Sequence, residues 1–209
     1  KPEVLYSHAT ETLKDNFSIP NTGKGHKVVF DYGGPNVAKA MHVGHLRSAI
    51  IGEALKRAYN FAGYDAIGDI HLGDWGTQMG MVISELEIRH PEWSYFDENC
   101  TEFPTESPVS LADLEEIYPA ASAACKQDKE RLEKARQTTV ALQNGRAGYR
   151  ALWRHMVDVS IEAIKANYEK LNVHFELWNG EASVHDLIEP MVKSLKDKKL
   201  AVSSEGALV

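Results

Sequence analysis

Lys39, His42, Gly44 and His45 sit within seven residues and have the types and spacing that handle phosphate. The two histidines are three apart at the start of an apolar-periodic run, so both imidazoles fall on one face of a first helical turn. Gly44 between them has no Cβ and lets a flat or phosphorylated ligand come close to the backbone. Lys39 adds a fixed positive charge one short step earlier. Imidazole donors and an ammonium at a helix N-terminus suit charge that develops on phosphate oxygens during a displacement. An H-x-x-H pair can also be half of a zinc site, but the other histidines and Cys100 and Cys125 supply no second pair at ligand spacing, so no protein-bound metal is expected. A surface pair without a role is the other ordinary reading. The Gly33-Gly34-Pro35-Asn36 turn just ahead argues against it.

Positioning these residues requires a strand before them and a helix after them. Lys27-Val28-Val29-Phe30 reads as a short, nearly continuous apolar strand of the kind buried in a parallel sheet. After the turn, Leu46, Ile50, Ala54 and Ala58, with Ile51 and Leu55, predict the buried face of an amphipathic helix; Arg47, Ser48, Glu53, Lys56 and Arg57 take the other side. Gly63 is placed to cap the helix, and Ala66–Ile70 reads as a second strand, parallel to the first and reached by a right-handed crossover. His71–Gln78 leaves that strand at the same carboxyl edge, where open α/β sheets place their ligands. There Asp74 and Gln78 can bond an amine or hydroxyl. Trp75 either walls a pocket or packs the loop, and packing is the favoured role.

Pro35-Asn36-Val37-Ala38-Lys39 followed by His42-Val43-Gly44-His45-Leu46-Arg47-Ser48 resembles the signature of class I aminoacyl-tRNA synthetases, and the P-N-x-A-K prefix resembles arginyl-tRNA synthetases in particular. Gly73-Asp74-Trp75-Gly76-Thr77-Gln78 is similar to a second motif of that family. The specific motifs lie between Asp31 and Gln78, although the likeness covers most of the chain. It implies an α/β fold with a Rossmann-like parallel sheet, incomplete here and carrying a helical insertion. It further implies an intact enzyme that joins L-arginine to ATP, accompanied by Mg²⁺, releases pyrophosphate and passes the arginyl group to tRNA(Arg). By the same resemblance His42, Gly44 and His45 meet ATP, while Asp31, Asn36, His42 and Gln78 meet arginine. Gly34, Asp74 and Trp75 belong to the surrounding pocket and loop. Lys39, His42 and His45 are the catalytic set. No K-M-S-K-S segment occurs, and many arginyl enzymes that lack it are thought to use the lysine ahead of H-x-G-H, which Lys39 matches. Family members often have Ser or Ala near Gly33 and Gly34, so a serine contact to arginine is lost or replaced here.

The remainder of the chain bounds this reading. At 209 residues, with 43% hydrophobic and 25% charged residues, the composition is that of an ordinary globular chain. The net charge of −7 argues against a wholly basic nucleic-acid module but not against a local basic patch, which Lys24, Lys27, Lys39, Arg47, Lys56 and Arg57 supply. A solvated helix face is an equal reading for Lys56 and Arg57. Two isolated cysteines and no membrane-length apolar run favour a cytoplasmic location. Four segments are expected: an N-terminal helix and linker over 1–25, with the helix at Lys1–Lys14; the first half of the catalytic fold over 26–90; a helical insertion over 91–172; and a strand, helix and hairpin over 173–209. Within the insertion one charged helix is predicted from Leu111 to Asn144 and another from Arg150 to Leu171, with Lys126–Arg136 a solvated face. A third strand is predicted at Val173–Trp178, a helix at His185–Lys199, and strands at Leu200–Val202 and Ala207–Val209 around a turn at Ser203–Gly206.

The start at Lys1 and a stop inside a hairpin lead to the expectation of a cut chain that folds at least in part, self-associates through its open edge and does not charge tRNA, whereas the intact enzyme is a monomer. Two other functions remain open: a small-molecule adenylyltransferase of the H-x-G-H type, and a non-catalytic piece that binds tRNA or protein.

Overall fold

The computed structural model describes residues 1–14, 21–24, 26–204 and 206–209; the expected linker at 15–25 lies largely outside them. The apolar run near the start of the sequence forms β1 (Lys27–Asp31), which leads through the glycine turn into α2 (Val43–Phe61) and back into β2 (Asp65–Leu72). Gly63 ends α2 in the left-handed region, at φ 85°. β2 pairs in parallel with β1 on one side and with β3 (Leu177–Gly180) on the other, giving the sheet order β1-β2-β3. This is the expected open parallel sheet of an α/β fold. α1 (Pro2–Lys14) precedes it and buries no residue.

Between β2 and β3 the chain runs through α3 (Thr77–Arg89), α4 (Leu111–Gln127), α5 (Lys129–Gln143) and α6 (Ala147–Lys170). The single helix expected from Leu111 to Asn144 is two, because Asp128 leaves helical geometry and its carboxylate accepts from Glu130 N–H at 2.8 Å, capping α5. Arg131 and Lys134, expected on a solvated face, form ion pairs with Glu85 and Glu87 of α3. α3 and α5 cross closely enough that a Cβ on Gly80 would overlap the carbonyl of Ala135. One continuous core joins the sheet to the helices through Val37, Ile70, Leu72, Met79, Leu152 and Met156.

The C-terminal strands also differ from expectation. β3 begins at Leu177, four residues later than predicted, because His174 and Glu176 are drawn aside to α2. α7 spans His185–Asp197. The hairpin forms with Ser203–Ser204 as β4 and Ala207–Leu208 as β5, so both serines are strand and not turn; Val202 and Val209 extend the pairing.

The largest correction concerns the faces of α2. Ile50, Ile51 and Leu55 are 52%, 56% and 48% exposed, whereas Glu53 and Lys56 are 6% and 4% exposed and face inward with Ala49 and Gly52. Glu53 accepts from Tyr32 O–H at 2.7 Å, from Arg57 Nε at 2.8 Å and from His174 N–H at 3.2 Å. Lys56 Nζ donates to the His174 carbonyl and lies 3.1 Å from Glu176. Every charge in this buried group has a partner, which is the condition for burying it at all. Lys56 is therefore a buried ion-pair member and not part of a solvated face, whereas Arg57 stays half-exposed and reaches Glu53 from the rim. Gly52 lets the helix approach Tyr32, whose ring occupies the space a Cβ would need.

Candidate functional site

The turn after β1 is built from conformations that only certain residues tolerate. Gly33 and Gly34 have φ of 91° and 54°, in the left-handed region. A Cβ on Gly33 would also come within 3.0 Å of Phe175 and of the Tyr168 hydroxyl. That crowding and the positive φ together favour glycine at position 33. A serine hydroxyl does reach this loop, from α2: Ser48 Oγ accepts the Gly33 N–H at 3.2 Å. Next, Val37 and Ala38 are fully buried, and Ala38 holds φ 59°, a conformation costing an alanine about 1–3 kcal/mol. The buried Ser160 hydroxyl accepts the Ala38 N–H at 3.0 Å and fixes it there. Lys39 emerges directly afterwards, with Nζ 6.0 Å from the centroid of the Tyr118 ring.

His42 is the N-cap of α2, and the two histidines cap one another. His42 Nδ1 accepts from Gly44 N–H at 3.1 Å, and His45 Nδ1 accepts from His42 N–H at 3.1 Å. The rings lie 4.0 Å apart between centroids. Because each Nδ1 is an acceptor, each neutral ring carries its proton on Nε2. Partial burial and the neighbouring charges of His42 and Lys39 push the His45 pKa below its ordinary value, which favours that neutral form. The turn thus presents two imidazole N–H donors, an ammonium and a helix N-terminus, an arrangement that can stabilise negative charge without exchanging a proton.

The second motif loop is joined to the first by its backbone. Val37 N–H donates to the Gly73 carbonyl at 3.0 Å, and Gly73 N–H to the Pro35 carbonyl at 3.2 Å. Gln78 Nε2 donates to the Gly73 carbonyl at 2.8 Å and to Asn36 Oδ1 at 3.4 Å, so those two candidate residues touch. Asp31 is exposed at the end of β1, in register with Asp69. Asp74 and Trp75 turn the other way. Asp74 is 4% exposed, accepts from Ala182 N–H at 3.0 Å, and is shifted upward in pKa by its burial. Trp75 lies against Trp153 and under Arg150, and its Nε1 donates to His185 Nδ1 at 3.0 Å. Gly34, Asn36, Lys39, His42, Gly44, His45 and Gln78 thus belong to one sheet edge, with Asp74 and Trp75 inside the wall behind it.

Sequence reasoning missed Ser160 and Ser48 as supports. Ser160 had a visible signal, since it interrupts the buried stripe Leu152, Met156, Ile164 at helical spacing. Among the described residues no group of His, Cys, Asp or Glu is arranged to hold a metal, and no helix is long and apolar enough to cross a membrane.

Comparison with known proteins adds a frame. The family model described as tRNA synthetases class I (R), catalytic domain, matches residues 8–209. A protein of Francisella tularensis subsp. novicida named arginine–tRNA ligase is 49% identical over 210 residues, covering 100% of this chain and 36% of the relative. An Agathobacter rectalis protein of the same name is 52% identical over 201 residues, covering 94% of this chain and 34% of its own length. The chain spans about a third of the length of these curated relatives. The crystal structure of arginyl-tRNA synthetase from Plasmodium falciparum superposes with a TM-score of 0.69 at 28% identity, over 91% of this chain and 30% of that one. The Thermus thermophilus arginyl-tRNA synthetase shares the fold, with a TM-score of 0.62 at 19% identity over 92% of this chain and 29% of the other.

Proposed function

The chain belongs to the class I tRNA synthetase (R) catalytic-domain family, and on that premise we propose that its complete gene product is an arginine–tRNA ligase. In the first step a carboxylate oxygen of L-arginine attacks the α-phosphorus of ATP, the bond to the β-phosphate oxygen breaks, and pyrophosphate leaves with its Mg²⁺. In the second step a terminal ribose hydroxyl of tRNA(Arg) takes the arginyl group and AMP departs. Both steps rest on positioning and charge stabilisation more than on a general base. The enzyme is read as a cytoplasmic monomer. The 209-residue chain by itself is read as self-associating, because β1 is an outer strand whose Val29 is 56% exposed.

The observation that carries this reading is the reciprocal histidine cap, in which both Nδ1 atoms accept backbone N–H groups, so that the Nε2 side of each ring is the donor at the mouth of α2. In this proposal they meet the phosphates, Gly44 admits the adenine, and Lys39 meets charge that builds in the transition state. Asp31, Asn36, His42 and Gln78 hold arginine, with Gly34 in the pocket wall. The test is His45→Ala in the complete gene product, assayed by pyrophosphate exchange with arginine and tRNA. Losing one such donor lowers kcat by about 10²–10³ with little change in the KM for arginine. Unchanged exchange would remove the role assigned to His45.

A further inference from the structure

The turn that carries Gly34 and Asn36 has little stiffness of its own, because Gly33 and Gly34 both hold positive φ and glycine has the widest choice of backbone conformations. Two bonds to α2 fix its first half. Tyr32, between Asp31 and Gly33, is buried, and its hydroxyl donates to Glu53 Oε2 at 2.7 Å. One residue on, Gly33 N–H donates to Ser48 Oγ at 3.2 Å. The Tyr32 ring also lies so close to Gly52 that a Cβ there would overlap it. All three contacts come from one stretch of the helix whose N-terminus is capped by His42 and His45. The later half of the turn is bonded to Gly73 through Pro35 and Val37, and so follows β2 instead.

We propose that Tyr32 and Ser48 are positioning residues, which set the turn of Asp31, Gly34 and Asn36 against the histidine end of α2 and thereby align arginine with ATP. The inference rests on the arginine–tRNA ligase reading, in which the turn holds arginine and the helix end meets the phosphates. The first step forms a bond from an arginine carboxylate oxygen to the α-phosphorus and breaks the bond from that phosphorus to the pyrophosphate oxygen. Its two reactants are thus held by different elements, and a misplacement of about 1 Å between them can cost about 100-fold in rate. A hydroxyl bonded to a buried carboxylate suits that duty. Burial and the bond to Glu53 push the Tyr32 pKa far above its ordinary value, so the hydroxyl keeps its proton and the bond persists. Neither residue touches substrate in this account.

The experiment uses the complete gene product with arginine, ATP, Mg²⁺ and tRNA(Arg). Rapid quench follows the first turnover, counted per folded molecule from urea unfolding. Tyr32→Phe keeps the ring and removes only the hydroxyl. It should lower that rate about 10- to 100-fold, while the dissociation constants for arginine and for ATP, measured separately, stay within about threefold. Ser48→Ala should slow the step about 2- to 10-fold, and Ser48→Thr, which restores a hydroxyl, should recover most of the rate. Ser48 is exposed, so this pair decides the matter even if Tyr32→Phe does not fold. Gly148→Ala on α6, which crowds the Tyr95 carbonyl, is the stability control and should react at the wild-type rate per folded molecule. If Tyr32→Phe and Ser48→Ala also react at that rate, the positioning role fails alone and the ligase reading stands. If affinity for arginine or ATP falls as far as the rate, or if Gly148→Ala shows the same loss, the proposal is overturned. If the wild type forms no arginyl-adenylate, the ligase reading fails first, and the positioning role goes with it.

Discussion

Glu53→Ala should destabilise the chain by about 3 kcal/mol, a large effect for a glutamate on a helix whose sequence marks that side as solvent-facing. Burial alone would raise the Glu53 pKa, but hydrogen bonds from Tyr32, Arg57 and His174 N–H, with the charge of Lys56, reverse this and hold it at about 2 against an ordinary 4.5. A displacement of that size corresponds to about 3 kcal/mol of native-state preference for the carboxylate. An independent route reaches the same range, since removing one partner of a buried ion pair costs about 3–5 kcal/mol. The thermal midpoint should fall by roughly 6–12 °C for a chain of this length. Because the folded pKa is depressed, the contribution is fully present above pH 4.5 and is lost as pH falls toward 2. The assay is urea unfolding followed by tryptophan fluorescence for both proteins, at pH 7 and in steps down to pH 2.5. Glu53→Leu combined with Lys56→Met should cost less than the sum of the two single changes, since it removes two buried charges together. A gap under about 1 kcal/mol at pH 7, or one that stays constant with falling pH, would refute the reasoning.

Lys39→Met in the complete gene product should slow adenylate formation while arginine affinity stays within about twofold, because the lysine is assigned to transition-state charge; rapid-quench kinetics beside equilibrium arginine binding separates the two. His45 has a lowered pKa and an Nδ1 that caps α2, so its stabilising effect should be present above its ordinary 6.5 and disappear as pH falls through the depressed value. Thermal midpoints between pH 7.5 and 5 should show that slope in the wild type and a flatter one in His45→Ala. Gly148→Ala should cost about 1–3 kcal/mol by calorimetry, because the new Cβ would overlap the carbonyl of Tyr95.

What was legible in the sequence followed range. The strand, turn and helix around His42 were readable because strand, glycine turn and helix cap all act within about 20 residues of sequence. The pairing of two motif loops at one edge followed from the order of those elements. The inward face of α2 was not readable: its apolar periodicity pointed outward, and the partners that make Glu53 and Lys56 worth burying are His174 and Glu176, about 120 residues downstream. The late start of β3 has the same cause, since those two residues are spent on α2. Asp128 was a readable signal passed over, a capping residue between two charged helical runs. Asp74 resembles a ligand-binding carboxylate in its motif, and only the position of Ala182, 108 residues later, turns it into an internal brace.

The distance between α2 and its counter-charges bears on how the molecule comes into being. A ribosome adding about 5–20 residues per second takes roughly 6–24 s to travel from Lys56 to Glu176. During that interval the nascent helix holds Glu53 and Lys56 with no Glu176 to receive the lysine, and β2 lacks one of its two neighbours. Burying this face early would strand an incompletely paired ammonium, so premature collapse is penalised until the late strand arrives. The charges thus tie the inner face of α2 to a late part of the chain, and β2 gains its second neighbour only once Leu177–Gly180 has been made.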